Sequence, residues 1–393
     1  MTVFHKGVPG ALASAALVVV SVCLAVLVCA ALLQAFYTPP RIISGWTAIG
    51  EVPASERNQF GFRGRNIEYG ADDAVVVLLG DSFVEAMKCC SYELMPERRL
   101  EQHLTPQFGK KVKVFSLGAG GYGQDQQLLV LLIYLSMYRA DLVLLWETPA
   151  NDIWNNVFPT HWPTNGSPKP TFWLENGILQ GPTEQMGQAI ATTPFTAVTL
   201  LQRVFSPVRR DDEWERRLPP AYLPVTTYEG PVNPAWQQRY DAGDYREENL
   251  KTEKSHLAIM LMPPSPRMRY GLELTRTLVR EIARIVSERG GRFIAFRALT
   301  PEEVLPGPPE VYVLNGLYYK ASPAQKNLNM AYVNQDIAHV DIPVTIPNYS
   351  VSPSDAHLNQ DATDQVMRDL AAALRPLLPE RIALPIHGDR RKG

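Results

Sequence analysis

Four short segments of this 393-residue sequence contain side chains that together could carry out acyl transfer. They are "GDSF" at 80–83, "GAGGYG" at 118–123, "ND" at 151–152 and "DAH" at 355–357. A nucleophilic serine needs a base that takes its proton, and the base needs a carboxylate that orients it. The oxyanion that forms next needs preorganised N–H donors. The four segments supply each of these groups, so they predict a serine nucleophile served by a histidine–aspartate pair.

Three of the segments directly follow apolar runs of strand length, and the fourth precedes the last predicted helix. Strands are predicted at 75–79, 113–117, 141–146, within 290–299 and at 338–343, and helices at 96–103, 124–138, 272–289 and 361–378. This alternation predicts an α/β fold with a doubly wound parallel sheet. Because ligands bind beyond the carboxyl ends of the strands in such sheets, the segments are expected to meet at one edge.

The four segments, in this order, resemble the conserved blocks of the SGNH/GDSL hydrolase family. A further segment, "NQFGFRG" at 58–64, resembles a lead-in found in bacterial membrane-anchored members. The resemblance covers about 58–156 and 290–378. It implies a flavodoxin-like SGNH fold and an enzyme that splits esters through an acyl-serine. Separately, no cofactor or metal is expected.

The resemblance also implies a role for each site residue. Ser82 would be the nucleophile, His357 the general base and Asp355 the residue that orients His357. The oxyanion hole would consist of the backbone N–H groups of Ser82 and Gly121 and the side chain of Asn151. Water would complete a hydrolysis, whereas a sugar hydroxyl would complete a transfer.

The sequence departs from the family pattern at several positions. Only Ala356 separates Asp355 from His357, a spacing similar to that of the membrane-linked branch that includes polysaccharide O-acetyltransferases. Ala86 stands where a glycine is usual.

Because of these departures, the sequence is compatible with two functions. One is a serine esterase or O-acyltransferase acting on an acylated glycan, lipid or small molecule. The other is a non-catalytic SGNH-fold subunit that scaffolds a membrane protein complex.

Each site residue also has a purely structural interpretation. Ser82 or Asp81 suits the N-cap of a helix, Asp355 would suit the cap of the last helix, and Asn151 would suit the cap of another. The glycines at 118–123 would permit a left-handed turn. The catalytic interpretation is favoured because all four segments occur together, in order and at strand ends.

The N-terminal region predicts a membrane anchor. Residues 11–36 contain no charged side chain, and a helix of this length, rising ~1.5 Å per residue, exceeds the ~30 Å hydrocarbon core of a bilayer. Lys6 precedes the apolar run, which favours a cytoplasmic segment at 1–10 and export of the remainder. We therefore expect a single-pass signal anchor in the inner (cytoplasmic) membrane with the main domain in the periplasm. Its partners would be the lipid bilayer and other membrane proteins, reached through the span and the insertion described next.

The rest of the chain divides into a linker with lead-in at 37–73, one SGNH-like domain at 74–380 and a basic tail at 381–393. Within the domain, a segment at about 158–266 is rich in proline, aromatic residues and charge, and it predicts an ordered, loop-rich insertion. The net charge of −2 gives no reason to expect nucleic-acid binding.

Cysteine spacing predicts neither a disulfide framework nor a structural zinc site. Cys23 and Cys29 lie in the apolar run, and Cys89 and Cys90 are adjacent. Since adjacent cysteines have poor geometry for a relaxed disulfide, both are expected as small buried or half-buried side chains.

Overall fold

The computed structural model describes the chain from Val8 to Leu377 with internal gaps. The described residues are 8–36, 52–108, 111–160, 169–182, 218–220, 228–230, 232, 237, 241, 246–301, 311–320, 337–353 and 355–377. The predicted tail at 381–393 and much of the predicted insertion lie outside these residues.

The described residues form a mixed α/β structure. Its strands are β1 (Ala74–Gly80), β2 (Val112–Gly118), β3 (Leu142–Trp146), β4 (Trp173–Glu175), β5 (Ile178–Gln180), β6 (Arg292–Leu299), β7 (Val311–Leu314), β8 (Leu317–Lys320), β9 (His339–Pro343), β10 (Ser350–Ser352) and β11 (Asp355–Leu358). Its helices are α1 (Val8–Phe36), α2 (Ser82–Glu85), α3 (Pro96–Phe108), α4 (Gln124–Met137), α5 (Pro149–Val157), α6 (Glu247–Lys251), α7 (Pro266–Glu288) and α8 (Gln360–Leu374), with short 3₁₀ turns at 54–56, 92–94 and 256–260.

A five-stranded, fully parallel sheet forms the centre, in the order β2-β1-β3-β6-β9. All five predicted strands are in this sheet, with bounds that differ by one or two residues. From β1 the chain passes first to β2 on one side and later to β3 on the other. This reversal creates a crevice beyond the carboxyl ends of β1 and β3, where open α/β sheets bind their ligands.

Both faces of the sheet are covered, which explains why β1 is apolar at every position before Gly80. Alternate side chains of a strand point to opposite faces. Val75 and Val77 pack in one core with α4, α5 and α7. Val76 and Leu78 pack in a second core with α3 and α8.

The lead-in is part of the first core. Phe60, Phe62 and Ile67 are buried there. The side chain of Asn58 accepts hydrogen bonds from the backbone N–H groups of Phe60 and Phe62 and donates one to the carbonyl of Ser116 in β2. Residues 58–67 are therefore fixed against the end of β2 that leads into the glycine-rich segment.

The long helix α7 starts earlier than its apolar periodicity predicts. It begins at Pro266 instead of 272 because Ser265 caps it, accepting a hydrogen bond from the N–H of Met268. Proline at the first helical position needs no N–H partner. The cap, rather than the first apolar residue, sets the start of this helix.

Parts of the predicted insertion join a third apolar cluster. The cluster combines α6 and the turn at 256–260 with the hairpin of β7 and β8. Another hairpin, β4 with β5, lies between 173 and 180. The buried ammonium group of Lys169 bonds to the carboxylate of Asp125 on α4 and to the carbonyl of Asn155. These described residues are ordered and packed on the domain.

The N-terminal apolar run forms α1, a single helix of 29 residues. Its described side chains, at 14–29, 31 and 32, are exposed. Within the described part of the chain, no helix meets the length and hydropathy that a membrane span requires. The membrane anchor therefore stays a prediction.

Cys89 and Cys90 form a disulfide, which corrects one expectation from the sequence. Their sulfur atoms are bonded to each other, across Cα atoms only 3.7 Å apart. The expected burial is confirmed, since Cys90 is buried and Cys89 half-buried. The expectation that the two cysteines form no disulfide was wrong because an irregular turn follows α2. Ala86 there adopts a left-handed conformation, and Arg63 donates to the carbonyls of Ala86 and Cys90.

Candidate active site

The end of β1 delivers Ser82 to the edge of the sheet. Asp81, not Ser82, caps the short helix α2, because its side chain accepts the N–H of Phe83 at 3.0 Å. The Ser82 hydroxyl is thereby free for other bonds. Glycine is required at 80, where a Cβ would lie 2.5 Å from the side chain of Val84. This close approach lets α2 pack directly over the strand ends.

Ser82, His357 and Asp355 lie together in a hydrogen-bonded chain. The Nε2 atom of His357 is 2.9 Å from the Oγ atom of Ser82. Its Nδ1 atom bonds to Oδ1 of Asp355, and its backbone N–H bonds to the same oxygen at 3.1 Å. Both residues belong to β11, where positions two apart share a face. A strand therefore explains why a single intervening residue, Ala356, is enough.

Aromatic packing fixes the histidine ring. The ring of Phe83 lies against the imidazole of His357, with centroids 5.2 Å apart and planes inclined by 32°. Phe83 also packs against Trp146 at the end of β3, at 5.6 Å. The imidazole is thus supported on one side by residues of β3 and α2, while Ser82 and His357 remain half-buried and reachable from solvent.

Lys88 adds a cation to this chain. Its Nζ atom lies 3.1 Å from Oδ2 of Asp355, the oxygen that His357 does not bind. Partial burial alone would raise the pKa of Asp355, but hydrogen bonds from the ring and backbone of His357, together with Lys88, hold that pKa at about 2. Asp355 is consequently ionised at neutral pH and can accept the Nδ1–H of His357.

Asp81 connects the nucleophile turn with Asn151. The Nδ2 atom of Asn151 donates to Oδ2 of Asp81 at 3.1 Å, and the hydroxyl of Thr148 donates to Oδ1 at 3.1 Å. Burial raises the pKa of Asp81, and hydrogen bonds from Phe83, Asn151 and Thr148 oppose that rise. One carboxylate therefore holds α2 and the first turn of α5 in a fixed relation.

The glycine-rich segment lies beside Ser82. A Cβ added to Gly120 would be 3.9 Å from the Cβ of Ser82. The N–H of Gly120 donates to Oε2 of the buried Glu85 at 3.0 Å. Gly121 follows with φ of +74°, a left-handed conformation that favours glycine. The turn at 119–122 is closed by a bond from the N–H of Tyr122 to the carbonyl of Ala119.

Two more carboxyl groups are buried in the segment that follows β3. Asp152 accepts the N–H of Thr148 at 2.8 Å, and burial followed by the charge of Asp81 raises its pKa well above the usual range. Burial raises the pKa of Glu147 to about 7, although its hydrogen bond to His339 at 3.1 Å opposes this.

Within the described part of the chain, no group of three His, Cys, Asp or Glu side chains is arranged as metal ligands would be.

The helix-cap interpretations of the other site residues do not match the structure. Asn359, not Asp355, caps α8 by accepting the N–H of Ala362. Thr148, not Asn151, occupies the N-cap position of α5. The left-handed glycine turn is present at Gly121 and is compatible with a catalytic role.

Three residues of this site were not singled out from the sequence. Glu85 could have been noticed, because it lies three positions after Ser82 and residues three apart are neighbours on a helical turn. Nothing in the sequence pointed to Thr148 or Lys88. Their partners, Asp81 and Asp355, are distant in sequence and are brought near only when the domain folds.

Comparison with protein-family models found no match, and comparison with curated proteins found none. Among solved structures, the chain is similar to the lipase Lip_vut3 from a goat rumen metagenome. The identity is 10% over 76% of this chain and 97% of that chain, with a TM-score of 0.36. It is also similar to the acetyl xylan esterase Est2A from the rumen bacterium Butyrivibrio proteoclasticus. That identity is 8% over 81% of this chain and 67% of the other, with a TM-score of 0.33. Similarities this low do not bear on function.

Proposed function

We propose that this protein is a serine esterase or O-acyltransferase with a flavodoxin-like SGNH fold, and that it acts through an acyl-serine intermediate. The observation that carries the proposal is the 2.9 Å contact between Ser82 Oγ and His357 Nε2, with Nδ1 of the same ring bonded to Asp355. A serine hydroxyl is a weak nucleophile until a neighbouring base takes its proton. Asp355 orients that base and stabilises the imidazolium that forms.

In the first half of the reaction, Ser82 Oγ attacks the carbonyl carbon of the ester while its proton passes to Nε2 of His357. The tetrahedral intermediate collapses when the bond between the carbonyl carbon and the alcohol oxygen breaks. The departing oxygen takes the proton from His357, which leaves the acyl group on Ser82. In the second half, a water or sugar hydroxyl gives its proton to Nε2 of His357 while its oxygen attacks the acyl carbon. The bond between that carbon and Ser82 Oγ then breaks, and Oγ takes the proton back from His357 as the acid or the new ester leaves.

The oxyanion of each intermediate would be bound by the N–H groups of Ser82 and Gly121 and by the side chain of Asn151. An amide nitrogen carries two hydrogens. One hydrogen of Asn151 bonds to Asp81, which orients the amide plane and leaves the second hydrogen for the oxyanion. Preorganised donors of this kind stabilise the developing charge without reorganisation.

We further propose that α1 anchors the enzyme in the inner membrane with its domain in the periplasm, where it meets an acylated glycan, lipid or small molecule. The uncharged run at 11–36 and the exposed apolar side chains of α1 support the anchor. Carbonate extraction tests it. The full chain should stay in the membrane pellet, and a chain lacking residues 1–36 should be released.

The catalytic proposal is tested by labelling the full-length protein with a fluorophosphonate probe, which reacts with activated serines. Wild type should be labelled, and Ser82→Ala should not. The matched control is Ser91→Ala, since Ser91 is an exposed serine close in sequence whose side chain makes no cap bond; it should label like wild type. Absence of labelling and of esterase activity in wild type would overturn the proposal. If such an inactive protein also co-purified stoichiometrically with other membrane proteins, the scaffold function would replace it.

A further inference from the structure

Lys88 is an exposed lysine that contacts the residue orienting the proposed base. Its Nζ atom is 3.1 Å from Oδ2 of Asp355, while Oδ1 of the same carboxylate is bound twice by His357. The two oxygens of Asp355 therefore have different partners: His357 for Oδ1 and Lys88 for Oδ2. A bond to each oxygen fixes the rotation of the carboxylate about its own axis.

We propose that Lys88 is a positioning residue for the Asp355–His357 pair, holding Oδ1 toward the imidazole and balancing the carboxylate charge. This inference rests on the proposed esterase or transferase function. Lys88 acts through Asp355 and is not itself in contact with Ser82 or His357 in the described hydrogen bonds and ion pairs.

The backbone that carries Lys88 is fixed on both sides. Arg63, itself paired with Glu56 at 2.7 Å, donates to the carbonyl of Ala86 at 2.6 Å and to that of Cys90 at 2.9 Å. The disulfide joins the two residues that follow Lys88. Exposed ion pairs usually contribute little because two mobile side chains must be ordered. Here the backbone of Lys88 is already anchored and Asp355 is already bound by His357, so less remains to be ordered.

The electrostatic environment gives Lys88 a measurable effect. The described charged groups around Asp355 and His357 include Lys88 from the turn after α2 and the buried Asp81 that precedes α2. They also include the buried Glu85 of α2, which accepts the N–H of Gly120 beside Ser82. Without Lys88, the positive charge of a protonated His357 would be the only one within the pair to balance the negative charge of Asp355. The protonated, inactive pair would then be favoured, and activity would be lost at a higher pH.

The experiment compares Lys88→Met and Lys88→Arg with wild type in the full-length protein. The control is Lys251→Met, a lysine of α6 that is similarly exposed (54% against 59%) and is also paired with a carboxylate, Glu247. The readouts are the rate of inactivation by a neutral fluorophosphonate and the kcat/KM for a neutral p-nitrophenyl ester, both measured from pH 5 to 8.

Lys88→Met should lower kcat/KM about 3- to 10-fold at neutral pH. It should also raise, by about half a pH unit to one unit, the pH at which kcat/KM falls to half its maximum on the acid side of the profile (the acid limb). Lys88→Arg should have the acid limb of wild type, and Lys251→Met should not change it. An unchanged limb in Lys88→Met, or a rise in KM alone, would overturn the positioning role. Failure of wild type to react with the probe would instead refute the proposed function itself, so the two failures are distinguishable.

Discussion

The Nε2 atom of His357 lies 2.9 Å from the Oγ atom of Ser82, although 275 positions separate these residues in the chain. Ser82 is the first residue of α2, directly after β1, and His357 lies in β11 of the hairpin that β10 and β11 form. Because the two segments are so far apart in sequence, only the folded domain brings the two atoms within hydrogen-bonding distance. Four further consequences can be measured.

The serine and the histidine should act as one unit. Ser82→Ala and His357→Ala should each lower kcat/KM for a p-nitrophenyl ester by about 10³-fold or more, and the double variant should be no worse than either single variant. The physical reason is that neither group is useful without the other. Multiplicative losses in the double variant would show that they act independently.

Asn151 should contribute to the transition state more than to substrate binding. Asn151→Ala should lower kcat by about 10²- to 10³-fold with little change in KM, because an oxyanion donor is lost. The comparison is Thr148→Val, which removes the other side-chain donor to Asp81 but no proposed oxyanion donor. Its loss of kcat should be much smaller. Equal losses in the two variants would indicate that Asn151 serves only to satisfy Asp81.

Glu147 should make stability depend on pH. Burial raises its folded-state pKa from 4.5 to about 7, so the folded protein binds the proton more tightly than the unfolded chain. Its contribution to the free energy of unfolding is about 3 kcal/mol at most; it is complete below pH ~4.5 and is lost as pH rises through about 7. Urea denaturation across this window should show the decline. Glu147→Gln should flatten it, and an unchanged slope would contradict the assignment.

Removing one member of the buried ion pair between Lys169 and Asp125 should destabilise the protein more than replacing both members with apolar residues. Both side chains are fully buried, so Lys169→Met leaves an uncompensated carboxylate and should lower the free energy of unfolding by roughly 3–5 kcal/mol. The double variant Lys169→Met/Asp125→Leu should recover part of this loss. The exposed pair of Lys251 with Glu247 provides the control, where Lys251→Met should have no measurable effect. A double variant less stable than the single one would exclude this account.

The sequence predicted the central sheet well because β1 and β3, at its centre, are compact apolar runs. Val75–Val77 and their neighbours are buried on both faces, and such runs need no long-range information to be recognised. The three segments that follow predicted strands also lie together, because the carboxyl ends of parallel strands share one edge of the sheet. Their catalytic role stays a prediction.

The sequence did not reveal the contacts that support those residues. Lys88 has no periodicity or motif, and only the fold brings it to Asp355. The bond between Cys89 and Cys90 was missed because it depends on the turn that Arg63 anchors. The start of α7 was missed because the cap at Ser265 lies ahead of the apolar pattern. In each case, local backbone geometry or a distant partner decided the outcome.

The separation of 275 positions between Ser82 and His357 has a consequence for biosynthesis. A nascent chain contains Ser82 long before His357 has been synthesised. A chain interrupted between the two segments would therefore hold the serine without its proposed base. The proposed active site is complete only once both segments have been made and the domain, which folds as a unit, has closed.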